Sequence, residues 1–177
     1  MKYQYLYDLK TDAPLMIQVG LKLMGILEAP GAVNNPTIMG WAREIGGKVA
    51  DTYKADSIAW CGLAQAVVCK RANKELVKDP LWALNWNTFG VRVEKGQEML
   101  GDILVFIRNG GGHVGLYVGE DATAFHVMGG NQNDSYCITR IAKSRLYGCR
   151  RPLYNTPPLG MKKYMLSASG TLSQNEA

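Results

Sequence analysis

The hydrophobic pattern changes period near Gly90, and that change decides which folds the chain can adopt. Before it, apolar residues recur at helical spacing; after it they alternate, or form short runs between glycine and Asn/Asp turns. Residues 15–27 carry a helical stripe opened by Pro14 and closed by Pro30-Gly31, weakened by Gly20 and Gly25. Asn35 can cap a second helix, with Pro36 at its first position and Gly46-Gly47 at its end. A third helix spans Cys61 to about Ala72, and a short one carries Trp82 and Trp86. Trp82 and Trp86 fit core packing better than a ligand groove because of their helical spacing. Residues 91–94, 103–107, 114–118, 122–128, 136–139 and 146–150 read as a meander of short antiparallel strands. Helices first and a sheet second predict an α+β domain, with N-terminal helices packed on a C-terminal antiparallel sheet.

A chain of 177 residues suffices for one core. The domain is expected over 13–155, with an N-terminal extension at 1–12 and a polar tail at 156–177 that orders only on a partner. The first residues contain no apolar signal core, and no run is long enough to span a bilayer. Synthesis in a cytoplasm without a secretion signal, and no stable membrane insertion, are the expectations. Cys61, Cys69, Cys137 and Cys149 show no C-x-x-C spacing and have only His113 and His126 beside them, so no metal is expected. Cys137 and Cys149 have the option of pairing, against which cytoplasmic synthesis argues. The net charge of +5 is densest at Arg140, Lys143, Arg145, Arg150 and Arg151. That suits an anionic partner or a solvated face; without a nucleic-acid motif, nucleic acid is not expected.

Chemistry concentrates at residues 55–68, where a polar turn and Trp60-Cys61 enter a helix rich in small residues. A cysteine in a first helical turn meets unpaired N–H groups and the positive end of the dipole. These lower a thiol pKa from about 8.5 toward roughly 3.5–7.5. The competing reading is an inert core cysteine. Trp60 can wall the site with its N–H free to donate. A base is then needed, and the chain offers His113, after three glycines at a strand start, and His126, one strand later.

Trp60-Cys61 at a helix start, then Gly101-Asp102-Ile103-Leu104-Val105-Phe106, then Gly112-His113-Val114-Gly115-Leu116-Tyr117, resembles the CHAP and NlpC type cysteine peptidases and amidases of the papain-like superfamily. The resemblance runs from about Pro14 to Pro152. It implies a papain-like fold, Cys61 as nucleophile, His113 as base, and a polar third residue after the histidine. Asn131 is favoured for that third place because two glycines before it permit close approach; His126 is the alternative, and Gln132, Asn133 and Asp134 stand next. Trp60 and His126 are the expected substrate contacts, and neither cofactor nor metal is implied. The implied substrate is a peptidoglycan amide, within the stem peptide or at its junction with N-acetylmuramic acid. The implied setting is a phage endolysin freed by a holin, or a virion-borne lysin whose tail touches other virion proteins. Two other classes remain in view: a wall-binding phage tail component with secondary or lost catalysis, and a nucleic-acid binder supported by charge alone.

Overall fold

The computed structural model describes residues 2–108 and 110–174. Its α-helices are α1 (Gln4–Asp8), α2 (Leu15–Leu21), α3 (Pro36–Ile45), α4 (Gly47–Thr52) and α5 (Cys61–Arg71). Single 3₁₀ stretches occur at Lys10–Asp12, Ala83–Thr88 and Lys143–Arg145. Asn35 Oδ1 accepts the Thr37 N–H at 2.8 Å, Pro36 occupies the first position, and Gly46 at φ +78° ends α3. The stripe that predicted a helix to Leu27 stops at Leu21, ahead of the left-handed Gly25. The glycine pair does more than end a helix: α4 begins at Gly47.

Six strands follow: β1 (Val91–Arg92), β2 (Ile103–Arg108), β3 (Gly111–Glu120), β4 (Ala124–Gly129), β5 (Cys137–Ala142) and β6 (Leu146–Arg151). The order across the sheet is β1-β6-β2-β3-β4-β5, with every pairing antiparallel. Strands β2 to β5 form the expected meander. Strand β6 departs from it, returning to pair with β2 and leaving β2 and β3 central. Asn109, in the expected glycine-rich turn between them, lies outside the described residues.

Strand alternation assigns two cores. Ile103, Val105, Val114, Leu116, Val118 and Met128 join the helices in one cluster that includes Met16, Ile38, Trp41 and Leu63. Leu104, Phe106, Tyr117, Phe125, Val127 and Ile141 form the second. Each such side chain contributes about 1.5–3 kcal/mol by leaving water. All four cysteines are free thiols. Cys137 on β5 and Cys149 on β6 lie four strand spacings apart, about 19 Å at 4.8 Å each, too far for a disulfide.

Neither terminus is an appendage within the described residues. Leu6 is buried, Tyr5 stacks on Tyr164 at 4.6 Å, and the Tyr5 hydroxyl donates to the Val118 carbonyl. The tail then runs along the sheet: Glu120 N–H donates to Tyr164 O at 2.9 Å, Leu166 N–H to Glu120 O at 2.7 Å, and Ser173 N–H to Arg140 O at 2.8 Å. The polar composition of 156–177 concealed Tyr164 and Leu166, which supply the apolar contact, and residues 175–177 lie outside the description. Among the described residues no helix is long and apolar enough to cross a membrane.

His126, on β4, ties the N-terminus to this frame. It is fully buried, with Nδ1 2.8 Å from the Tyr3 hydroxyl and Nε2 3.0 Å from Asp121 Oδ2. Burial pushes the His126 pKa down, Lys2 and Arg140 add to this, and Asp121 opposes it. A folded-state pKa below the unfolded value of about 6.5 gives stability that is complete above that pH and lost as pH falls. The urea midpoint should therefore hold steady from pH 8 to 7 and drop from about 6.5 downward, and His126→Gln should flatten the drop. An acid limb unchanged in that variant would remove His126 as its cause.

Candidate active site

The first turn of α5 has backbone donors to offer. Trp60 O accepts the Ala64 N–H at 2.8 Å, so the N–H groups of Cys61, Gly62 and Leu63 lie outside the helical ladder. Cys61 is 3% exposed, and its sulfur meets the backbone N–H groups of Val114, Gly62 and Cys61 itself. Burial nevertheless dominates and pushes the thiol pKa up; those donors and the Arg108 charge pull the other way without overcoming it. This corrects the expected depression, because a helix terminus lowers a pKa only when the sulfur keeps enough solvation.

Val114 directly follows His113, so the sulfur lies against the end of the strand that carries the imidazole. The β3–β4 register runs from Glu120↔Phe125 to Leu116↔Met128, and the chain leaving β4 curls over the start of β3 beyond it. Gly130 makes this possible. A Cβ there would stand 2.6 Å from Trp60 Cε3 and 2.7 Å from Ala64 Cβ. Gly62 does the same on the other side of α5, where a Cβ would strike the Pro80 carbonyl and come within 2.7 Å of the Leu81 oxygen.

After Gly130, Asn131 at φ +57° turns the backbone left-handed and sends the next side chain inward. That side chain is Gln132, fully buried, with Oε1 3.0 Å from His113 Nε2. Its amide nitrogen donates to Val127 O at 3.1 Å and Cys137 O at 2.7 Å. With both amide hydrogens on carbonyls, the oxygen must face the ring, so Nε2 carries the hydrogen and Nδ1 the lone pair of the neutral imidazole.

The residues singled out from sequence are thus distributed unequally. Cys61 lies against the backbone of Val114, the residue next to His113. Asn131 does not reach the ring; it supplies the turn that lets Gln132 do so. His126 has both ring nitrogens engaged by Tyr3 and Asp121, which excludes it from orienting His113 and from substrate contact. Trp60 is fully buried, donates its N–H to Glu28 Oε2 at 3.1 Å and packs on Trp41, so it braces the site from behind and presents nothing to a ligand. Asn133 and Asp134 point to solvent. Sequence reasoning also passed over Asp56, a buried carboxylate whose Oδ2 accepts the N–H groups of Ala29 at 2.9 Å and Asn35 at 2.7 Å. It anchors the strand of chain that leads into Cys61. Among the described residues, no group of three or more His, Cys, Asp or Glu side chains is placed to hold a metal ion.

No family model matches the chain, and no curated protein matches it. Among solved structures, the chain is similar to the P60 domain of an antigen from M. avium paratuberculosis. The identity is 20% and the TM-score 0.48, over 86% of this chain and 97% of that one.

The contact at Gly130 is directly testable. Gly130→Ala should lower stability by about 1–3 kcal/mol, the usual cost of overpacking, read as a shift in the urea midpoint. A variant as stable as the wild type would mean that the loop does not lie on α5 as described.

Proposed function

We propose that the protein is a cysteine amidase or peptidase acting on peptidoglycan. The observation that carries this reading is the constellation of Cys61 under three backbone N–H groups, His113 one residue from the strand position that meets its sulfur, and Gln132 fixing the ring tautomer. The resemblance of the Trp60-Cys61, Gly101–Phe106 and Gly112–Tyr117 blocks to CHAP and NlpC type enzymes supports the substrate class.

His113 Nδ1 takes the proton from Cys61 Sγ, and the thiolate attacks the amide carbonyl carbon. The oxyanion forms within reach of the N–H groups of the first turn of α5, each such donor contributing roughly 2.7–4 kcal/mol. The imidazolium returns its proton to the leaving nitrogen, the C–N bond breaks, and an amine departs from a thioester on Cys61. Water, deprotonated by the same Nδ1, then releases the acid and restores the thiol. Gln132 accepts the Nε2 hydrogen throughout and exchanges no proton. The bond cut is a stem-peptide amide or the link between L-alanine and N-acetylmuramic acid. The phage-lysin setting rests on the family resemblance.

Purified sacculi treated with the wild type should yield new amines and no new reducing sugar ends, and Cys61→Ser should yield neither. Reducing ends without amines would overturn the class. Gln132→Ala should lower turnover roughly 10²-fold or more with the fold intact by circular dichroism, while Asn131→Gly, which keeps the left-handed turn, should cost far less. The reverse ranking would return Asn131 to the orienting role. Because burial raises the Cys61 pKa, alkylation by iodoacetamide at pH 7 should depend on the base. In His113→Ala it should be slow and rise only above the usual thiol range near 8.5, as peptide mapping would show.

A further inference from the structure

A cavity of about 390 Å³ opens at the β1–β6 edge of the sheet, lined mainly by residues of the 92–98 and 143–150 segments. No residue of α5 or β3 borders it, nor does Gln132, so it is separate from the candidate active site. Its volume is that of a small-molecule site. Two features of its lining are left unbalanced within the chain. The first is an excess of cations. Arg92 and Arg150 are cross-strand partners in the β1–β6 ladder, where like charges directly opposite each other are destabilising. Arg92 meets Glu94 at 3.2 Å, but both side chains are 75% exposed, and an ion pair in that setting contributes little. Arg150 Nε donates to the Phe89 carbonyl at 2.7 Å, an acceptor that orients the guanidinium without neutralising it. Lys95 makes no hydrogen bond or ion pair among the described residues. Of the four cations in the lining, Lys143 is the one with a buried carboxylate, Glu120 at 2.8 Å.

The second feature is a carboxylate. Glu98 is 1% exposed and borders both this cavity and a smaller one of about 90 Å³ beside it. Its Oε1 accepts the Gly96 N–H at 3.1 Å, and it forms no ion pair among the described residues. The other buried carboxylates are provided for: Asp102, Glu120 and Asp121 each have a cation, and Asp56 has two N–H donors on one oxygen. A buried carboxylate without a partner costs stability, and a cation supplied from outside the chain relieves that cost.

We propose that this cavity binds a small zwitterion, an amino acid or short peptide whose ammonium group meets Glu98 and whose carboxylate is held by Arg92, Lys95 and Arg150. A simple anion would satisfy the cations and leave Glu98 bare, and a lone cation would do the reverse. A molecule carrying both charges balances both features at once, through charge-assisted hydrogen bonds at each end. The site does not depend on Cys61 being a nucleophile.

The test titrates L-alanyl-L-alanine, its N-acetyl derivative and its C-terminal amide into the full chain labelled with nitrogen-15, followed by NMR. Dialanine should shift the amide signals of Lys95, Glu98 and Arg150 saturably and leave those of Gly62 and Gly112 in place. The N-acetyl derivative, which lacks the ammonium group, and the amide, which lacks the carboxylate, should each bind roughly 10-fold more weakly. Glu98→Gln should remove the advantage of dialanine over the N-acetyl derivative. Lys95→Gln, on an exposed side chain that the fold does not use, should reduce its advantage over the amide. Equal affinity for the three ligands, an order unchanged in both variants, shifts centred on Gly62 and Gly112, or no saturable binding overturns the proposal. Inorganic phosphate binding in place of dialanine, and more tightly in Glu98→Gln, also overturns it and leaves a plain anion site.

Discussion

A primary carboxamide whose two hydrogens are both held by carbonyls has a single way to face an imidazole, and Gln132 is in that position. Its donors go to Val127 O at the end of β4 and Cys137 O at the start of β5, and its acceptor goes to His113 on β3. One side chain therefore fixes the spacing of three strands at the end of the sheet where α5 docks. Replacing it leaves two buried carbonyls and a ring nitrogen to be satisfied some other way, at about 1–3 kcal/mol for each group left bare. The surrounding chain is arranged to keep Gln132 there. Glu28 N–H donates to Asp134 O at 2.7 Å and Tyr136 N–H to Ile26 O at 2.8 Å, which straps the 25–28 segment to the same loop. Three departures from ordinary backbone within four residues, Asn131, Asn133 and Asp134 at positive φ, are held in place by that strap.

Buried carboxylates near the ends of β2 and β3 engage much of the basic stretch. Asp102, Glu120 and Asp121 are all buried, and each meets a cation from the basic stretch: Arg151 to Asp102 at 2.8 Å, Lys143 to Glu120 at 2.8 Å, Arg140 to Asp121 at 2.8 Å. A buried carboxylate without such a partner is strongly destabilising, so these cations are fixed by the fold before any ligand is considered. The cluster that reads from sequence as an attraction for an anionic partner is in large part internal neutralisation. Lys163, 3.6 Å from Glu120, extends the same network to the C-terminal segment.

What the sequence disclosed and what it concealed follow from the range of the forces involved. The α3 cap, α5 and the runs of β2 to β5 are local: Asn35-Pro36, a small-residue helix and alternating strands carry their own signals. The position of β6 beside β2 is a long-range pairing with no local signature, and the packing of 156–174 depends on Tyr164 and Leu166 finding the sheet. At the candidate site, the places of Cys61 at the start of α5 and of His113 near the start of β3 were legible because each stands at an element boundary marked by glycine or by a change of pattern. Gln132 was not, since a single left-handed residue decides which of two adjacent amides points inward. Asn131 itself held the clue: asparagine is among the few non-glycine residues that tolerate that conformation, so its presence after Gly-Gly favours a turn role over a ligand role. Trp60 misled because an aromatic beside a nucleophile looks like a wall of the cleft, whereas the close contact at Gly130 uses it as the surface on which the loop rests.

The raised thiol changes how such a site would work. A cysteine already ionised by a helix terminus is abundant as thiolate but weak, since intrinsic nucleophilicity falls with pKa. In the reaction proposed for it, Cys61, nearly sealed from water and with its pKa pushed up by burial, would start as the thiol and depend on a base whose tautomer is set in advance. Gln132 presents His113 with Nε2 protonated and Nδ1 basic, so deprotonation and attack can be coupled when a carbonyl arrives. The donors at Val114, Gly62 and Cys61, too weak to ionise the sulfur against its burial, would in that proposed reaction act where charge develops. On the proposed mechanism burial would be part of the chemistry: it would suppress ionisation and side reactions of an idle thiol, and make the thiolate a stronger nucleophile once the proton has moved.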